Sequence, residues 1–159
     1  MAKTLIVYYS LEGNVDFLAR MLAKELDADI FRLEPVKDYP KKGLAKFFHG
    51  GKDTVSNACP ELKALPEIAS YEQIVIGTPV WASRPAAPLN TLFANIDFAG
   101  KKVAAFASSG GDSVGKTFTV MAEKLKNATI SETVSLKNPL RSPEKAQETI
   151  KAFAEKIKL

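Results

Sequence analysis

"TLIVYYSLEGNVDFLARML", residues 4–22, decides the fold. Its first six residues, Thr4 to Tyr9, form a short apolar run rich in β-formers, as expected of a strand buried on both faces. "SLEGN" then breaks the run with a serine, a glycine and an asparagine. From Asn14 the period changes. Phe17, Leu18, Met21, Leu22 and Leu26 recur at helical intervals, while Asp16, Arg20 and Lys24 take the wet side. Asp16 and Arg20 form a favourable i,i+4 pair. A buried strand, a tight glycine turn and an amphipathic helix make the opening of a parallel α/β unit.

The same alternation repeats outward. "DIFRLEP" (Asp29 to Pro35) reads as a strand that Pro35 stops. "QIVIGTPVW" (Gln73 to Trp81) is a second buried strand running into a loop. "PLNTLFANI" follows as a helix through Leu89, Leu92, Phe93 and Ile96. "KKVAAFASS" (Lys101 to Ser109) is a third buried strand. "KTFTVMAEKL" is the next helix, with Phe118, Met121, Ala122 and Leu125 facing inward. "ATISETVSLK" is β-rich and more polar, as suits a sheet edge. The last helix opens with Ser142 at the N-cap, Pro143 at N1 and Glu144 in the first turn. Its stripe is Ala146, Ile150, Phe153, Ala154 and Ile157. Residues 36–70 carry Pro40, Pro60, Pro66, Gly43, Gly50 and Gly51, with a short helix suggested around "GLAKFFHG". Strands alternating with helices predict an α/β fold, a doubly wound parallel sheet covered on both faces.

The chain has 159 residues, 46% apolar and 25% charged, which suits one domain spanning 1–159. Its 22 basic and 18 acidic residues leave a net charge of +4. The lysines are spread out, without the interleaved aromatics and arginines of a nucleic-acid surface, so no nucleic acid is expected as partner. An anionic ligand or an acidic protein is the natural attraction for a mildly basic surface. One cysteine, Cys59, excludes an internal disulfide, and one histidine, His49, gives no metal cluster. No segment has the length of a membrane span, and the N-terminal apolar run is too short for a signal peptide; the expected location is the cytoplasm, with no membrane partner.

In a doubly wound sheet the ligand lies outside the carboxyl ends of the strands. That rule selects three loops: Ser10 to Val15, Thr78 to Ala87, and Ser108 to Gly115. In the first, Ser10 offers a hydroxyl, Gly13 permits a tight turn, and the head of a helix presents free N–H groups to an anion. In the second, Trp81, the only tryptophan, follows a buried strand among Pro79, Pro85 and Pro88 and offers a flat face to a planar ring. In the third, Gly110 and Gly111 expose backbone N–H groups that can approach a ring edge. This third loop also fits G-x-x-x-x-G-K-S/T through Gly110, Gly115, Lys116 and Thr117, the triphosphate-loop pattern. That alternative, a nucleotide-binding protein using Gly110–Thr117, lacks the Mg²⁺-holding aspartate at the end of a neighbouring buried strand, and Asp112 would oppose the phosphates.

"YYSLEGN", "IVIGTPVWASRPAAPLNTLF" and "KVAAFASSGGDSVGKT" together resemble the three FMN-binding loops of the flavodoxin family. They are most similar to its small members described as NAD(P)H-dependent oxidoreductases. "YPKKGLAKFFHGGKD" resembles that subgroup too, and the likeness runs from Thr4 to about Leu125. It implies a five-stranded sheet in the order 2-1-3-4-5 and FMN as cofactor. It places the phosphate among Ser10, Leu11, Glu12, Gly13, Asn14 and Val15. The ring and ribityl chain would lie along Thr78, Pro79, Val80, Trp81 and Ala82. Ser108, Ser109, Gly110, Gly111 and Asp112 would close the other edge. Two residues depart from the family's threonines: Val15 removes a hydroxyl donor, and Glu12 puts a carboxylate beside the phosphate. Its side chain is expected to turn outward. The third loop supplies no second stacking aromatic, so one ring face is open or covered from residues 36–70. The resemblance implies electron transfer, either as a carrier to a redox partner protein or as an oxidoreductase passing electrons from NAD(P)H to a small acceptor, in a monomer or homodimer.

Overall fold

A computed structural model describes residues 2–40 and 57–159. The helix expected around "GLAKFFHG" lies outside the described residues. The strands are β1 (Thr4–Tyr8), β2 (Asp29–Arg32), β3 (Gln73–Trp81), β4 (Arg84–Pro85), β5 (Lys102–Ser109) and β6 (Ile130–Lys137). The helices are α1 (Asn14–Leu26), α2 (Ala87–Asn95), α3 (Thr117–Lys124) and α4 (Pro143–Ile157), with a 3-10 turn at Pro139–Arg141. The main sheet runs β2-β1-β3-β5-β6, all parallel. Setting aside the two-residue β4, which pairs antiparallel with the end of β3, this is the expected order 2-1-3-4-5.

Alternation along the strands divides the interior into two cores. Leu5 and Val7 of β1, Ile74 and Ile76 of β3, and Val103 and Ala105 of β5 pack with Leu89 and Leu92 of α2 and with Met121 of α3. Ile6 and Tyr8, Val75, and Ala104 and Phe106 face the other way, against Leu18 and Leu22 of α1 and Ile150 and Phe153 of α4. Successive side chains on a strand point to opposite faces, so near-continuous apolar strands need a helix layer on each side. Gly77 of β3 pairs with Phe106, whose ring fills its missing side chain: a Cβ there would sit 2.2 Å from the ring.

The edges depart from the sequence reading in instructive ways. β2 ends at Arg32, and beyond it Pro35 bridges to Leu62. β3 continues through Trp81 because β4 folds back on it. Ala122 is exposed, whereas helical spacing placed it inward. Phe17, Met21 and Leu26 lie at the half-buried margin of α1, and the buried line is Val15, Leu18, Ala19 and Leu22. Ser142 is the N-cap of α4, with Pro143 behind it, but its side chain makes no capping bond. No helix among the described residues is long and apolar enough to cross a membrane.

Candidate functional site

The carboxyl ends of β1, β3 and β5 stand side by side at one rim. Ser10, buried after β1, has an Oγ that accepts a 3.1 Å bond from the Asp16 N–H, so it caps α1 from within the loop. Its own hydroxyl proton is left for another acceptor. Gly13 is the N-cap residue with φ 100°, a left-handed conformation that admits glycine without strain. The N–H groups of Gly13, Asn14 and Val15 find no acceptor among the described residues. They are the orphan donors of a helix head and favour an anion.

Charge beneath this loop is internally balanced. The Tyr8 hydroxyl bonds Asp16, and Arg20 Nε donates to Asp16 Oδ2 at 2.9 Å. Burial, and then the Asp16 bond, push the Tyr8 hydroxyl up to about 12. Partial burial works to raise the Asp16 carboxyl, yet the bonds from Tyr8 and Arg20 win and hold it below the usual range. Arg32 donates to the Ser10 carbonyl at 2.6 Å. Asp16 is thus ionised and paired, and it does not cancel the positive field at the helix head.

The second loop is a hairpin. Val80 pairs with Pro85 and Trp81 with Arg84, around Ala82 (φ 49°) and Ser83 (φ 64°). Both central residues lie in the left-handed region, the signature of a type I′ turn, here built without glycine or asparagine. Such conformations cost a non-glycine residue roughly 1 kcal/mol or more each, so surrounding contacts must hold them. Two are visible. Thr78 Oγ1 accepts from the Ala86 N–H at 3.0 Å and donates to the Pro79 carbonyl at 2.8 Å. At the tip, the Ser83 carbonyl accepts from the Lys116 N–H at 2.8 Å. Trp81 meets Tyr9 edge to face (5.5 Å, 83°) and Tyr39 likewise (5.0 Å, 75°). Burial and a 2.7 Å bond to Asp38 push the Tyr9 hydroxyl far up, so this brace is neutral.

The third loop divides in two. In front, Gly110 and Gly111 are exposed and their N–H groups have no acceptor among the described residues. Behind, the N–H groups of Gly115, Lys116 and Thr117 are spent: Gly115 N–H on Ser113 Oγ (3.0 Å), Lys116 N–H on Ser83, Thr117 N–H on the Val114 carbonyl (3.1 Å). Asp112 pairs with Lys137 at 2.7 Å. A triphosphate cradle needs those N–H groups free. Gly115 and Lys116 grip the Trp81 hairpin instead, and a Cβ on Gly115 (φ +55°) would lie 2.3 Å from Ser83 Cβ.

Between the loops is a cavity of about 580 Å³, within the range of ligand sites. Of the residues expected from sequence, Ser10, Leu11, Glu12, Asn14, Val15, Pro79, Val80, Trp81, Ala82, Ser108, Ser109 and Gly110 line it. Gly13, Thr78, Gly111 and Asp112 do not. Gly13 shapes the loop, Thr78 ties the hairpin, the Gly111 carbonyl accepts from the Ser109 hydroxyl at 2.7 Å, and Asp112 faces Lys137. Glu12 is exposed at the lining. Asn138 and Arg141 also line the cavity and were not among the expected residues. The Asn-Pro pair at 138–139, a turn signal just past an edge strand, was the available clue. One aromatic wall, free N–H groups at a helix head and a glycine edge can hold a planar ring that carries an anion.

A family model described as Flavodoxin matches residues 3–157. The chain is similar to the crystal structure of a provisional flavoprotein from Bacteroides uniformis (26% identity, TM-score 0.79, 97% of this chain and 98% of that one). A second, from Bacteroides eggerthii, superposes with TM-score 0.76 at 24% identity over 99% of this chain and 98% of that one. A flavoprotein from Lactobacillus acidophilus, solved in complex with FMN, shares the fold at TM-score 0.71 and 23% identity, over 89% of this chain and 97% of that one.

Proposed function

The chain belongs to the flavodoxin family, and on that premise we propose that it uses FMN to pass electrons from NAD(P)H to a small acceptor. FMN is the cofactor supported by the family and by a relative solved with it. The residues fit it. The orphan N–H groups of Gly13, Asn14 and Val15, with the free proton of Ser10, suit a phosphate dianion. Trp81 gives one flat wall, and the front of the third loop gives backbone donors without side chains in the way.

When bound, FMN supplies reversible one- and two-electron chemistry. The chain's own residues bind and orient. The head of α1 would hold the phosphate, Trp81 would offer a face to the ring, and Gly110 would bring a backbone N–H donor to its edge. Tyr9 and Tyr39, both buried, brace the indole edge to face.

One observation favours the enzymatic reading over a carrier. Trp81 is the single aromatic among the described residues that line the cavity, so none of them offers a second stacking face where a second planar molecule would lie. The net charge of +4 suits anionic NADPH. The cytoplasm, as monomer or homodimer, is the proposed setting. Anaerobic stopped-flow mixing of the yellow holoprotein with NADPH is the test, with rapid loss of flavin absorption as the expected result. A flavin that stays oxidised under NADPH, yet exchanges electrons with a redox partner protein, would make this a carrier.

A further inference from the structure

We propose that Arg141, carried by the turn after β6, is the cationic contact for the flavin phosphate and sets this protein's preference for FMN over riboflavin. The inference rests on FMN binding at this rim. Among the described residues lining the cavity, Glu12 is the one carboxylate and Arg141 the one cation. Of the other described cations near the rim, Arg20 is held by Asp16, Arg32 by the Ser10 carbonyl and Lys137 by Asp112, while Arg84 and Lys116 do not line the cavity. Arg141 has no ion-pair partner among the described residues.

Its backbone, by contrast, is pinned to two of the three loops. The Asn138 N–H donates to the Ser109 carbonyl at 2.9 Å and the Leu140 N–H to Asn14 Oδ1 at 3.3 Å. The Arg141 N–H closes the turn on the Asn138 carbonyl at 2.9 Å. Leu140 also packs near Gly13, within 3.8 Å of where a Cβ would stand. The turn that carries Arg141 is thus fixed beside the head of α1, and Arg141 lines the cavity.

The chemistry of the first loop calls for it. Val15 brings no hydroxyl to a dianion that accepts several bonds. The planar fork of N–H donors on Arg141 supplies a charge-assisted bond there. Riboflavin, which has the ring but no phosphate, gains nothing from it.

Titrations of the apoprotein with FMN and with riboflavin, followed by quenching of flavin fluorescence, test this. Arg141→Gln should weaken FMN about tenfold, the weight of one charge-assisted hydrogen bond, and riboflavin less than about twofold. Arg141→Lys should restore part of the FMN affinity, and added salt should narrow the gap between wild type and Arg141→Gln. An unchanged FMN-to-riboflavin ratio in Arg141→Gln overturns the inference, whether both flavins weaken together or neither does, and leaves FMN binding standing. Wild-type protein that takes neither flavin overturns this inference and the cofactor reading together.

Discussion

The two ends of the cavity are made differently. At the end proposed for the phosphate, most of the donors are backbone groups delivered by secondary structure, with Arg141 the one cationic side chain among the described lining residues: β1 stops, Gly13 turns, α1 begins, and the N–H groups of 13–15 are left over. At the end proposed for the ring the one aromatic surface among the described lining residues is Trp81, on a hairpin whose two tip residues sit in unfavourable backbone conformations. That hairpin is held from outside, by Thr78, by the tyrosine pair and by the grip of Gly115 and Lys116. The backbone donors of the first end follow from local sequence, whereas the second end depends on contacts made far along the chain. The two should therefore fail separately: damage to the ring end should weaken FMN and riboflavin alike.

The largest loss is expected from Trp81→Ala. It removes the flat wall and the body that Tyr9 and Tyr39 pack against, so both flavins should weaken by about 2–3 kcal/mol in fluorescence titrations. A variant that lost FMN but kept riboflavin would erase the division between the ends. Gly115→Ala should come next, although Gly115 does not line the cavity. A Cβ 2.3 Å from Ser83 Cβ, on a residue at φ +55°, must displace the hairpin tip. Overpacking and backbone strain together suggest about 1–2 kcal/mol lost from both flavins, with a comparable drop in denaturant stability. Unchanged flavin affinity would mean that the grip is incidental to Trp81.

This asymmetry also explains what could be read from the sequence. β1, β3, β5, α1 and α4 were legible because their apolar periods are strong and their termini carry glycine, serine or proline. The first loop was legible for the same reason, since a helix head with free N–H groups needs only the strand-turn-helix order. The hairpin was not. Ala82 and Ser83 carry none of the glycine or asparagine that marks a left-handed turn, so 78–87 looked like an open loop. The double role of Gly110–Thr117, free in front and spent behind, depends on the distant Ser83 carbonyl. Arg141 was missed because its turn reaches the rim only after the β5-to-β6 crossover. Ala122 shows the limit of periodicity on a short helix, where one small residue fits either face.

The smallest effect belongs to the charges under the phosphate loop, and it probes how far that end is backbone-made. Asp16 follows the orphan donors directly, yet its carboxylate is engaged by Tyr8 and Arg20, and only its N–H serves Ser10. Asp16→Asn keeps that N–H, so FMN affinity at neutral pH should move by less than about 0.5 kcal/mol. Stability should respond through pH instead. The Asp16 carboxyl titrates lower folded than unfolded, so its contribution is present above the ordinary carboxylate range and is lost as pH falls through the folded value. Urea unfolding of the wild type and Asp16→Asn should differ by under about 1 kcal/mol at pH 7, and the difference should close below about pH 4. Tyr8 gives the opposite arm: with its hydroxyl pushed up to about 12, its contribution holds below pH 10 and is lost on the way to 12. Tyr8→Phe should flatten that alkaline decline. If Asp16→Asn weakened FMN as strongly as Trp81→Ala, a side chain rather than the helix head would hold the phosphate, and the contrast between the two ends would be lost.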